Sequence, residues 1–184
     1  MSIFDYERFN GFARSGLDDL LFADLWDNYI FNESDMHSAA YYYIRDYFKK
    51  KGRGECFVRC EPMLAGMKPD IVIYTGGKPT YVLEFKMFAK PDAVNNDAVV
   101  NDLEKLAVVI ENLPTVKWGF FHMIYDADEP YTISDNRLRR AGLKKMSVTT
   151  INARRKEDTG RRRTGYDEWR AAFDSLRSKH KEHA

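Results

Sequence analysis

The most constraining feature of this 184-residue sequence is the segment KPDIVIYTGGKPTYVLEFKM, residues 68–87. Two runs rich in β-branched and aromatic residues flank a Gly-Gly-Lys-Pro turn, and this pattern predicts an antiparallel hairpin. Side chains alternate along a strand, so the second run has an apolar face and a face with Thr80, Val82, Glu84 and Lys86. The predicted strand therefore packs one face into a core and has Glu84 and Lys86 on the other.

The length of the turn decides which residue faces Glu84. A three-residue turn, residues 76–78, pairs Asp70 with Glu84, and cross-strand partners lie about 4.5–5.5 Å apart at Cβ. A two-residue turn places Asp70 on the opposite face, because a one-residue change of register turns a strand over. Paired glycines favour loops with positive φ and are compatible with the three-residue turn.

Two carboxylates at that distance repel each other unless positive charge lies between them. Mg²⁺ suits such a site because it binds a few carboxylate oxygens, keeps several waters and accepts phosphate as a further ligand. Mn²⁺ is the expected substitute. Lys86 can hold or deprotonate a water if its pKa is lowered, or it can stabilise charge on a phosphate. The set predicts metal-dependent hydrolysis of a phosphodiester bond.

The whole sequence predicts an α/β domain with a mixed central β-sheet flanked by helices. A first helix is predicted over about 15–30, and a second from a cap at Asn32 or Ser34 to Gly52. The hairpin supplies two strands, and the others are predicted at ECFVRCEP, VKWGFFHMIYD and KMSVTTIN. Further helices are predicted at DAVVNDLEKLAVVIENL and DNRLRRAGL.

Composition and charge narrow the class of protein. No apolar run is long enough to span a membrane. Cys56 and Cys60 would lie roughly 13 Å apart on a strand, too far for a disulfide, which favours a cytoplasmic protein with reduced thiols. Residues 137–184 hold 15 Lys and Arg against 6 Asp and Glu, whereas residues 61–136 hold 6 against 12. A basic end beside an acidic centre indicates a polyanion partner; a solubilising tail is the alternative.

Pro69-Asp70, followed after thirteen residues by Glu84-Phe85-Lys86, resembles the signature of the PD-(D/E)xK nuclease superfamily. That superfamily includes restriction endonucleases, Holliday-junction resolvases and repair and phage nucleases. The resemblance covers roughly residues 33–126. It implies a restriction-endonuclease-like core, Mg²⁺-dependent cleavage of nucleic acid with DNA as the expected substrate, and the homodimeric state in which many such proteins act.

The resemblance also assigns roles to individual residues. Asp70 and Glu84 match the metal ligands, the Phe85 carbonyl matches a backbone ligand, and Lys86 matches the catalytic lysine. Glu33, which opens the helix at NESDMH, matches the acid that this helix contributes to the metal site. For Glu33 the alternative is a first-turn acid that stabilises the helix dipole.

Further residues are predicted to support the site. Asp102 and Lys105 lie on the helix after the motif, where they can support the metal ligands or contact a nucleic-acid backbone. His37 is four residues after Glu33 and shares its face, and a hydrogen-bonded structural role is the alternative for it. The basic residues predicted to contact phosphates, with a solvated loop as the alternative, are Arg154, Arg155, Lys156, Arg161, Arg162 and Arg163.

Residues 1–152 are interpreted as the nuclease-like domain, and residues 153–184 as a basic loop and an amphipathic helix packed on it. The alternative function is a catalytically inactive nucleic-acid-binding or protein-interaction domain of the same fold. In the protein-interaction version, Glu84 and Lys86 form a salt bridge without a metal.

Overall fold

The fold is built on a mixed β-sheet. The computed structural model describes residues 5–27, 29–51, 55–88, 93–127, 131 and 141–153. Within these ranges the strands lie in chain order across one sheet: β1 Cys56–Cys60, β2 Ile71–Thr75, β3 Lys78–Phe88, β4 Trp118–Tyr125 and β5 Met146–Asn152. The first three strands pair antiparallel, and β3, β4 and β5 pair parallel. The predicted mixed sheet flanked by helices is confirmed.

The N-terminal helical region begins earlier than the sequence predicted. Helix α1 (Tyr6–Gly11), a π-helical segment (Phe12–Gly16) and helix α2 (Leu17–Trp26) follow one another without a break. Every fourth residue of this region is buried, from Phe9 to Leu25. The predicted start near residue 15 was wrong because it missed the turns that contain Phe9, and the predicted end near residue 30 was wrong because α2 ends at Trp26.

Helix α3 (Glu33–Lys50) starts where the sequence predicted. The side chain of Asn32 caps it by accepting a hydrogen bond from the Asp35 amide at 3.0 Å, so Asn32 and not Ser34 is the cap. Its buried residues recur every fourth position, from Met36 to Phe48, and pack toward the sheet. The predicted stop at Gly52 lies outside the described residues.

The hairpin between β2 and β3 reaches the predicted register by a different route. Gly76 and Gly77, both with positive φ, form a two-residue turn, and Thr75 pairs with Lys78. A bulge then leaves Thr80 as an extra residue, so that Ile73 pairs with Tyr81 and Ile71 with Leu83. The predicted three-residue turn was wrong, but the bulge shifts the register by one residue and restores Asp70 to its place opposite Glu84.

Helix α4 (Ala93–Asn112) connects β3 to β4 and packs on the other face of the sheet from α1–α3. A 3₁₀ segment (Ala141–Lys145) lies against it. Gly142 makes this approach feasible, because a Cβ there would lie 2.5 Å from the Ala107 carbonyl oxygen. The start of the helix predicted at 135–143 lies outside the described residues. In the part of the chain that the structure describes, no helix is long and apolar enough to cross a membrane.

Candidate active site

The charged residues of the hairpin lie where its polar face meets α4 and the first turn of α3. Asp70 directly precedes β2, and Glu84 and Lys86 project from β3 toward the side of the sheet that α4 covers. Three other residues that the sequence predicted for the site lie there: Glu33 at the start of α3, and Asp102 and Lys105 on α4.

The carboxylates of Asp70 and Glu84 each accept a hydrogen bond from a backbone amide. The Asp70 amide donates to Oε1 of Glu84 at 3.1 Å, and the Phe85 amide donates to Oδ2 of Asp70 at 2.8 Å. Each carboxylate is therefore fixed by a hydrogen bond from the opposite strand. The predicted juxtaposition of the two acids is what the structure shows.

Lys105 supplies positive charge to the most buried acid of the site. Only 1% of the Glu84 side chain is exposed, and its Oε2 lies 2.7 Å from Nζ of Lys105. This contact is an ion pair that lies outside good hydrogen-bond alignment. Burial and the nearby Asp70 carboxylate raise the pKa of Glu84 to about 10, and Lys105 offsets only part of this shift. The carboxyl group therefore favours a proton, or another cation, at neutral pH.

Lys86 contacts two other acids and not Glu84. Its Nζ lies 3.3 Å from Oδ2 of Asp102 and 3.5 Å from Oε2 of Glu33. Burial lowers the pKa of Lys86, but the two carboxylates outweigh burial and the net shift is upward. Lys86 is thus charged at neutral pH, and the lowered pKa that a water-deprotonating role requires is not found. The Glu84–Lys86 salt bridge of the protein-interaction alternative is also not what the structure shows.

Glu33 links the start of α3 to the end of β3. Its Oε2 accepts a hydrogen bond from the Met87 amide at 3.2 Å in addition to its contact with Lys86. Partial burial raises the pKa of Glu33, with Lys86 opposing the shift. Since Asp102 also contacts Lys105 at 3.2 Å, the site contains an alternating chain of acids and bases: Glu33, Lys86, Asp102, Lys105 and Glu84.

His37 contacts the backbone of the site. Its Nε2 lies 3.0 Å from the Asp70 carbonyl oxygen, to which it donates, and its ring stacks on Phe85 with centroids 6.0 Å apart. The structure shows the hydrogen bond that a structural role requires, and a role of His37 toward a metal or phosphate stays a prediction. His37 holds in place the backbone segment from which Asp70 projects.

The residues present fit a hard divalent cation. No group of three or more His, Cys, Asp and Glu side chains within the described ranges is arranged to hold a metal. Mg²⁺ nevertheless needs only one or two carboxylates from the protein, because it keeps several waters. Asp70 and Glu84 are such a pair, and burial disfavours a bare carboxylate at Glu84, which raises its pKa. Asp70 and Glu84 are therefore the residues that could hold a divalent cation.

Two parts of the sequence prediction have no counterpart among these contacts. The contact that Phe85 makes in the site is through its amide, and the role of its carbonyl as a ligand stays a prediction. The six basic residues predicted to bind phosphates, from Arg154 to Arg163, lie outside the described residues. Sequence reasoning named Lys105 without identifying its partner, because spacing along α4 does not show which side chain on β3 lies beneath it.

Comparison with known proteins adds no relative to this description. No family model, curated protein or solved structure matches the chain.

Proposed function

We propose that this protein is a metal-dependent nuclease of the PD-(D/E)xK type, with a restriction-endonuclease-like core, that hydrolyses phosphodiester bonds, with DNA as the expected substrate. The observation that carries the proposal is the meeting of Asp70 and Glu84 on one sheet face, with Lys86 next along the same strand. Carboxylates and ammonium groups are rarely buried unless they are paired or coordinate a metal, because burying an isolated charge is unfavourable. We expect the protein to act in the cytoplasm and to form a homodimer. Size-exclusion chromatography tests the homodimer.

Asp70 and Glu84 would hold the metal, with Glu33 and the Phe85 carbonyl as further proposed ligands. When bound, Mg²⁺ supplies a Lewis acid for the phosphate and a water of lowered pKa. The backbone hydrogen bonds to Asp70 and Glu84 fix the orientation of both carboxylates before any ligand arrives. Such pre-organisation lowers the reorganisation needed during the reaction.

Lys86 acts in this proposal as a fixed positive charge. Glu33 and Asp102 keep it protonated, so it donates hydrogen bonds to the attacking water or to a phosphate oxygen and does not remove a proton. Lys105 balances the buried Glu84 carboxylate from the side of α4. Asp102 contacts both lysines and thereby sets their spacing.

One observation favours a second candidate function. Lys86 and Lys105 each contact two carboxylates, so the protein itself compensates both lysine charges. This balance is expected in a nucleic-acid-binding domain that has the fold without catalysis. Such a protein would bind DNA but would have weak affinity for Mg²⁺ or Mn²⁺ and no cleavage activity.

Cleavage of labelled DNA in Mg²⁺ or Mn²⁺ separates the two functions. We expect the wild type to cut, Asp70→Asn and Lys86→Met to lose cutting, and EDTA to abolish it. Glu61→Gln is the matched control, since the Glu61 amide donates to the Asp70 carbonyl but its side chain is exposed and paired with Lys68. A wild type that binds DNA without cutting favours the second function, and equal cutting by Asp70→Asn contradicts the nuclease site.

A further inference from the structure

Two aromatic rings stack on an exposed part of the sheet face that carries the candidate active site. Phe57 on β1 and Tyr74 on β2 are direct cross-strand partners, with ring centroids 4.7 Å apart and planes at 7°. Tyr74 is anchored against the core cluster beneath α4, whereas Phe57 is 42% exposed. The pair therefore presents a flat apolar surface that is held rigidly from one side.

Arg59 adds positive charge to this surface. Its guanidinium carbon lies 5.8 Å from the Phe57 ring centroid and 5.9 Å from that of Tyr74. Across the described ranges no carboxylate forms an ion pair with Arg59, and the residue is exposed. Its charge is therefore free to meet an anion. We call Phe57, Arg59 and Tyr74 the aromatic platform.

The platform is continuous with the candidate active site. Arg59 pairs with Val72 across the two strands. The next pair on that face is Glu61 and Asp70, and the Glu61 amide donates to the Asp70 carbonyl at 2.8 Å. Diagonal neighbours across two strands lie about 7–8 Å apart, which is the expected separation of Arg59 from Asp70. Tyr74 is four residues from Asp70 on the same face, about 13 Å along the strand. A short stretch of nucleic acid spans this distance.

We propose that the aromatic platform binds unpaired bases of the strand that enters the site, so that the substrate class is single-stranded DNA or the single-stranded part of a branched DNA. The inference rests on the proposed nuclease function. Aromatic side chains that bind single strands do so by stacking on the exposed face of a base, which in a duplex is covered by the neighbouring pairs. Arg59 complements the adjacent phosphate or stacks in the same column.

Fluorescence anisotropy in EDTA tests the platform without cleavage. The probes are a labelled DNA single strand of mixed sequence and the same strand annealed to its complement. We expect the wild type to prefer the single strand, and Phe57→Leu, which keeps apolar bulk but removes the ring, to bind it about tenfold more weakly. Phe57→Tyr should retain binding. Arg59→Ala should weaken binding and reduce the slope of log K against log salt by about 0.7.

The controls distinguish failure of the aromatic platform from failure of the nuclease proposal. Tyr42→Leu removes a ring on α3 that is more exposed than Phe57 and should leave affinity unchanged. Unchanged single-strand affinity in Phe57→Leu, or a wild-type preference for the duplex, overturns the platform. If binding depends on Phe57 but the wild type with Mg²⁺ or Mn²⁺ never cuts, the platform stands and the nuclease proposal fails.

Discussion

The two faces of β3 have opposite compositions and opposite surroundings. One face, which includes Tyr81, Leu83 and Phe85, is buried in a core formed with α1, α2 and α3. The other bears Glu84 and Lys86 and meets α4, which supplies Asp102 and Lys105. A single strand thus provides packing on one side and charge on the other, because its side chains alternate.

The difference between the faces indicates where stability and chemistry reside. Burial of apolar side chains stabilises the fold, at about 25 cal/mol per Å² of apolar surface. Burial of Glu84 does the reverse unless a cation compensates, since desolvation of a charge is unfavourable. The polar face is therefore expected to lower stability in the metal-free protein while enabling metal binding. Substitutions on the two faces should separate these effects.

The largest expected effect is on cleavage. Asp70→Asn removes one carboxylate but keeps an oxygen that accepts the hydrogen bond from the Phe85 amide. Cleavage in Mg²⁺ should fall on the order of a thousandfold, because charge stabilisation in the transition state is lost. The free energy of unfolding in EDTA should stay the same or rise, since the Asp70 charge, which disfavours ionisation of the buried Glu84, is removed. Initial rates and urea denaturation of the same preparation measure both.

The apolar face should show the opposite behaviour. Leu83→Ala leaves a cavity in the core beneath α1–α3 and should reduce the free energy of unfolding by about 2–5 kcal/mol. Cleavage per folded molecule should fall far less than in Asp70→Asn. A Leu83→Ala protein that unfolds like the wild type would show that this face contributes little to stability and would remove the contrast between the faces.

The raised pKa of Glu84 predicts a pH dependence of stability in the metal-free protein. Its ordinary value is 4.5 and the folded value is about 10, so the folded state binds the proton more tightly than the unfolded state. The contribution of Glu84 to the free energy of unfolding is therefore highest below pH 4.5. It falls by about 2 kcal/mol or more as the pH rises toward 10. Urea denaturation in EDTA across this range should show the loss. Glu84→Gln should remove most of this pH dependence of the free energy of unfolding, and Glu61→Gln should not.

The smallest of these effects concerns Lys105. Its ammonium lies 2.7 Å from Oε2 of Glu84, where it repels an added divalent cation. Lys105→Met should tighten Mn²⁺ binding by about tenfold. Lys105 repels a divalent ion more strongly than it repels the proton that competes for Glu84, so its removal favours the metal. Calorimetric titration measures the change, with Lys68→Met as an exposed control. Weaker binding in Lys105→Met would show that this lysine assists the metal site.

Local patterns were sufficient to predict much of the fold. Asn32 was one of two caps predicted for α3, and α4 was recognisable from its apolar period. The alternation in β3 correctly separated its buried apolar face from Glu84 and Lys86. These features depend on contacts within a few residues, which is why one sequence reveals them.

The features that the sequence did not reveal depend on contacts between distant segments. The bulge at Thr80 is set by packing, with the Thr80 carbonyl accepting a hydrogen bond from the Lys117 amide at 2.7 Å. The Glu84–Lys105 pair depends on how α4 crosses β3. The stacking of Phe57 on Tyr74 requires the β1–β2 register, which the loop between these strands left open.

The most direct test of the account is a calorimetric titration of Mn²⁺ into the wild-type protein and into Asp70→Asn at neutral pH. The account predicts saturable binding in the wild type, proton release as the cation replaces the proton on Glu84, and loss of binding in Asp70→Asn. Absence of binding in the wild type, or equal binding in both proteins, would contradict a metal site between Asp70 and Glu84.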